Sequence, residues 1–217
     1  MGTSALRAAV GLAAIATLAA CTSTTTGAAM RSTAPGVSSS VPNPAPSGRP
    51  TPASFAALEA RLISQVPAGY EVQPDDVGDT GPSDLAKAIH DDGRPGAARA
   101  LKSEGFVRGY QRLWMNDADD QVIVFIYQFA TSSGARAEYD RNAAQLTVIE
   151  PSARRFAVPG MPAHDTAGAA AHTDEGYAAV VIAISGPLVM QITCNASTRN
   201  GLPERASVLA RQQYRRL

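Results

Sequence analysis

Two β-favouring runs, Phe106–Met115 and Gln121–Phe129, separated only by Asn116-Asp-Ala-Asp-Asp120, constrain this chain more than any other feature. Runs of this kind joined by a short polar turn form an antiparallel hairpin. A three-residue loop at 117–119 sets Asn116 opposite Asp120, and the period of two fixes the remaining register. One face then pairs Leu113 with Ile123, Gly109 with Tyr127 and Val107 with Phe129, an apolar face suited to helices. The other pairs Trp114 with Val122, Arg112 with Val124, Tyr110 with Ile126 and Arg108 with Gln128. A second hairpin is expected over 177–185 and 188–195, hinged at Gly186-Pro187, because glycine supplies the positive φ of a tight turn.

Each hairpin is followed by a helical pattern. One begins at Ser132 or Ser133 and carries Ala135, Tyr139, Ala143 and Leu146 on one stripe; the other begins near Pro203 and turns Ala206, Leu209, Ala210 and Leu217 inward. Hairpins with helices returning to a sheet predict an α+β two-layer sandwich on an antiparallel sheet, built from two hairpin–helix units. Extra N-terminal helices are expected on one face. Ser54 caps the first, with Phe55, Leu58, Leu62 and Val66 at helical spacing before Pro67. Ser83 caps a second with Leu85 and Ile89, and a third runs from Pro95 to Gly105. A short strand is expected at Tyr70-Glu71-Val72, and irregular chain around Pro159-Gly-Met-Pro162. The folded domain is placed at 54–217.

Residues 22–53 are almost entirely Thr, Ser, Pro, Gly and Ala, with Met30, Arg31, Val37, Val41 and Arg49 as the only bulky or charged exceptions. Such a segment buries too little apolar surface to offset its ordering entropy, so it is read as a disordered tether. Before it, Arg7 is the only charge ahead of an apolar run over 8–20. That run is short of the roughly 20 residues needed to span a bilayer and fits a signal peptide over 1–20.

The run ends in Leu18-Ala19-Ala20-Cys21, and here the chain resembles bacterial lipoprotein precursors. The resemblance implies cleavage before Cys21 and a diacylglyceryl group on its thiol. It also implies anchoring at the extracytoplasmic face of the cell membrane. A thioether-linked Cys21 forms no disulfide, which leaves Cys194. Alternation places Cys194 with Leu188, Met190 and Ile192, the setting of a small buried hydrophobe. Only Lys87 and Lys102 are lysines, and alanine and proline abound, a bias of high-GC actinobacterial genomes. The segments Gly105-Phe-Val-Arg-Gly-Tyr110 and Leu209-Ala-Arg-Gln-Gln-Tyr214 resemble parts of actinobacterial envelope lipoproteins of unknown function. That resemblance implies a location and no activity.

Nineteen basic and nineteen acidic residues give no excess charge to attract nucleic acid. His164-Asp165 and His172 with Asp174 and Glu175 lack zinc-site spacing and read as solvated loop residues; His90 reads as a helix-end residue. Asp117, Asp119 and Asp120 lack the glycine and closing glutamate of a calcium loop. Phosphate-loop, dinucleotide and serine-elbow motifs are absent, so no cofactor and no catalytic activity is expected. The candidate contact surface is Arg108, Tyr110, Arg112 and Trp114, because Trp, Tyr and Arg dominate binding hot spots. The expected partners are the membrane, through the lipid on Cys21, and an envelope protein or small ligand. The preferred function is a non-catalytic binding module; a carrier of an apolar ligand between sheet and helices, or an envelope hydrolase, are the alternatives.

Overall fold

The computed structural model describes residues 53–217 apart from 76, 78, 79, 147, 149–151 and 175. The expected signal peptide, Cys21 and the tether up to residue 52 lie outside the described residues. In chain order the elements are α1 (Phe55–Glu59), β1 (Glu71–Val72), β2 (Gly81–Ser83), α2 (Leu85–Asp92) and α3 (Ala97–Glu104). Then follow β3 (Phe106–Met115), β4 (Gln121–Phe129), α4 (Ser132–Gln145), β5 (Arg154–Phe156) and β6 (Thr166–Thr173). The chain closes with β7 (Gly176–Ser185), β8 (Leu188–Ala196) and α5 (Leu202–Tyr214).

Every strand pair is antiparallel, in the order β1-β3-β4-β8-β7-β6-β5, with β2 also pairing to β3. The α+β class and the antiparallel sheet of two hairpin–helix units are those read from the sequence. The hairpins β3–β4 and β7–β8 lie side by side, joined through β4 and β8. Leu58, Leu62 and Ile63 around α1, with Leu202, Ala206 and Leu209 of α5, pack on Tyr110, Trp114, Val122, Val124, Met190 and Ile192. Helices α2 to α4 bury Ala88, Leu101, Ala135 and Tyr139 against Phe129, Ile182, Ile184 and Val189. Cys194 is buried in the first of these clusters, where burial pushes its thiol pKa up to about 12.

The hairpin register follows the expected pairs from Trp114–Val122 out to Arg108–Gln128. It then departs: Phe106, not Val107, pairs with Phe129, and a bulge holds Val107. The cause lies in the strand's origin. Gly105 ends α3 in the left-handed conformation, and its carbonyl accepts from the Ala130 amide at 2.8 Å, which fixes where β3 can begin. The extra residue re-aims the strand, as bulges do. The Phe106 ring then meets Tyr127 and Phe129 edge-on, at 5.3 and 5.9 Å between centroids.

At the hairpin tip the Asn116 side chain accepts from the Ala118 and Asp120 amides, and Asp119 adopts φ 61°. That left-handed position ordinarily favours glycine. Asp119→Gly is therefore expected to stabilise the protein by about 0.5–1 kcal/mol, read as a rise in the urea midpoint at constant slope. A fall in the midpoint would show that the Asp119 side chain stabilises the turn.

Several helix boundaries differ from the expected ones. The first helix does not continue to Pro67 but stops at Glu59. Beyond it, the buried Gln213 amide donates to the Arg61 carbonyl at 2.8 Å and accepts from the Ile63 amide at 2.9 Å, pinning non-helical chain to α5. Asp84 rather than Ser83 caps α2, because Ser83 is the last residue of β2. Thr131 rather than Ser132 or Ser133 caps α4, accepting from the Gly134 amide at 3.1 Å. Helix α3 starts at Ala97, behind a left-handed Gly96, not at Pro95.

Candidate functional site

The four residues proposed as one contact surface do not form one. Tyr110 and Trp114 are buried, 4% exposed each, beneath α1 and the segment after it. The Tyr110 hydroxyl donates to Asp75 at 2.9 Å; burial, then the carboxylate, pushes its pKa up to about 12. Arg112 lies 2.5 Å from the Glu59 carboxylate of α1 and 5.7 Å from the Tyr110 ring centre. The face offered as a contact surface is covered in part by the short helix α1. Of the two arginines Arg108 is the one without an ion pair: its guanidinium stacks 5.1 Å from the Phe55 ring centre and has no hydrogen bond among the described residues.

Arg108 stands across the hairpin from Gln128, whose side chain the sequence placed in the same pair. Gln128 is 8% exposed, and its Oε1 is buried without a hydrogen-bond partner; so is Nε of Arg108. The cross-strand neighbours thus bury an unpaired acceptor and an unpaired donor. Each such orphan costs about 1–3 kcal/mol. Direct pairing would satisfy both, but the stack on Phe55 commits the guanidinium elsewhere.

Gln128 also lines an open depression of about 360 Å³ at the end of the sheet. Its other walls are Arg61 and the Ser185–Gly186–Pro187 turn between β7 and β8, with Leu217 and Ala53 at the rim. Gly186 takes φ 56° there, the positive value expected of this turn. Arg61 donates to the Leu217 carbonyl oxygen. Sequence reasoning placed Arg108 and Gln128 opposite each other but had no signal for Arg61, which arrives from a distant segment.

A second polar cluster, unsuspected from the sequence, joins α2, α3 and α4. Arg141 reaches Asp92 at 2.6 Å, Glu104 at 3.2 Å and Glu138 one turn earlier on α4. Arg94 donates to Asp92 at 2.5 and 2.8 Å and to Asn142 at 2.6 Å. Burial pushes the Glu138 carboxyl up to about 7, against the attraction of Arg141. Burial would also raise Asp92, but hydrogen bonds from Arg94 and Arg141 outweigh it and hold that carboxyl below its usual range. These groups satisfy one another across three helices, a clamp rather than an open site.

His164 is exposed beside Asp165, and His172 lies exposed on β6, its ring 4.8 Å from that of Tyr177. Glu175 lies outside the described residues. No group of three metal-ligating side chains occurs among the described residues. His172 and its neighbours belong to a strand, not to the loop expected of them.

No protein-family model and no curated protein sequence matches the chain. Among solved structures, the extracellular domain of PknH from Mycobacterium tuberculosis is similar, with a TM-score of 0.47 and 10% identity. The match covers 76% of this chain and 98% of that one. It is a likeness of chain path alone.

Proposed function

We propose that this protein is an exported lipoprotein, held at the outer face of the cell membrane by lipid on Cys21, whose α+β domain binds a partner or small ligand without transforming it. The observation that carries the anchor is Leu18-Ala19-Ala20-Cys21 closing an uncharged apolar run. No helix among the described residues is long and apolar enough to cross a membrane. The binding reading is supported by the unpaired carbonyl oxygen of Gln128, a residue that lines the depression. Groups held unsatisfied at a cost in stability are a mark of sites completed by something else.

Mass spectrometry of the membrane-extracted protein tests the anchor. The mature chain is expected to begin at Cys21 and to carry the mass of the lipid. Cys21→Ala should abolish the added mass. With its leader removed, that variant should leave the detergent phase for the aqueous one, since each buried methylene contributes about 0.8 kcal/mol to membrane binding. A mature chain with an unmodified Cys21 thiol would overturn the lipoprotein reading.

A further inference from the structure

We infer that the end of the domain that receives the tether is a docking surface for the anionic phospholipid headgroups of the membrane holding the anchor. The inference rests on the lipoprotein reading and adds to it the face that the domain turns toward the lipid.

Charge is laid unevenly along the sheet. Residues 53–217 hold all nineteen acids but only sixteen of the nineteen basic residues, so the domain as a whole is repelled by an anionic surface. One end differs. The chain from Cys21 enters it at Ala53, which lines the depression together with Arg61 and Leu217. Arg216 donates there to the Ala60 and Arg61 carbonyls, and Arg215 beside it is exposed. Arg108 stacks at the same end on Phe55, which is 37% exposed. None of Arg108, Arg215 and Arg216 has a carboxylate partner among the described residues, and the β7–β8 turn at this end carries no charge. The acids nearest these arginines, Glu59 and Asp165, are held by Arg112 and Arg136. The tether adds Arg31 and Arg49 and no acid. Asp117, Asp119 and Asp120 in the β3–β4 turn and Asp174 in the β6–β7 turn stand at the opposite end. Strands of nine or ten residues hold the two ends about 30 Å apart, several Debye lengths at physiological salt, so these acids do not cancel the arginines. Arginines close to an anionic lipid surface are drawn to it, and a projecting aromatic ring adds apolar contact. An anchored domain meets that surface at high effective concentration, so a modest attraction is enough to orient it.

The test mixes the unlipidated chain, carrying Cys21→Ala and freed of its leader, with vesicles at millimolar lipid and reads the sedimented fraction. Vesicles of equal phosphatidylglycerol and phosphatidylcholine are expected to bind it at low salt and release it at about 1 M salt. Phosphatidylcholine alone should bind none. Arg215→Gln should weaken binding about fivefold and Arg215→Glu about 25-fold, the loss of one and of two charges at the surface. The Gln variant keeps the result decisive should the reversed charge loosen the end of α5. Arg199→Glu makes the same charge change on an exposed residue at the acidic end, where Ser197 bonds Asp120, and should leave binding unaltered. Equal binding to both vesicle types overturns the docking surface. So does binding that ignores Arg215, or that falls as far with Arg199→Glu as with Arg215→Glu. The probe chain has no lipid, so that failure leaves the anchor reading standing. An unmodified Cys21 in the mass spectrum would sink the anchor reading instead, whatever the vesicles do.

Discussion

Gly134→Ala is expected to destabilise the protein by more than about 3 kcal/mol, although alanine is the better helix former. On an open helix the same change would add about 1 kcal/mol of stability. Here a Cβ on Gly134 would lie 1.8 Å from the Glu104 carbonyl oxygen and 2.9 Å from its carbonyl carbon. Both are backbone atoms, so no rotamer change makes room. Glu104 ends α3, and Gly105 behind it is fixed in the left-handed conformation and bonded to Ala130. Gly134 is fixed in turn by the Thr131 cap at the start of α4. The two helices touch where neither can withdraw, and prising them apart also strains the Arg141–Glu104 contact. Urea denaturation reads the effect; for a chain of this size the melting temperature should fall by roughly 8 °C or more. A gain in stability would show that α3 and α4 do not approach this closely.

How much of this was legible beforehand depends on how local each signal was. The β3–β4 hairpin was legible almost residue by residue, because a turn with defined chemistry and a period of two fix a register together. Even the Tyr127 ring over Gly109 follows: a Cβ there would lie 2.3 Å from Tyr127 Cδ1. Strand β6 was not legible. Thr166–Thr173 is mostly alanine and glycine, which carry no strand preference, and it forms a strand only because β7 and the Phe156 ring over Gly168 cover it. The candidate site was half legible. The pairing placed Arg108, Arg112, Tyr110 and Trp114 on one face, but a helix of five residues decided which of them meet water. Nothing in a pattern around 54–66 tells a short helix followed by pinned chain from a long one. That difference depends on Gln213, some 150 residues away.

The three-helix ion cluster gives the second large expected effect. Arg141→Met should cost about 3–5 kcal/mol near pH 8, because it leaves Asp92, Glu104 and Glu138 facing one another without their shared guanidinium. Methionine preserves much of the stem's packing, so the loss reports charge rather than volume. The pH dependence separates this from a general weakening. The folded-state pKa of Glu138 is raised from 4.5 to about 7, so the folded protein holds a proton that the unfolded chain releases. Stability from this group is therefore fully present below about pH 4.5 and lost as pH rises to about 7, a span of at most about 3 kcal/mol. Asp92, lowered, acts with the opposite sign: its contribution is present above its unfolded value and is lost as pH falls through its folded value. Two expectations follow for urea midpoints measured between pH 5 and 8. Glu138→Gln, which cannot ionise, should flatten the decline seen in the unaltered protein. Arg141→Met should be tolerated better at pH 5, where Glu138 is protonated, than at pH 8. An equal loss at both values would mean that the charge of Glu138 does not enter what Arg141 contributes.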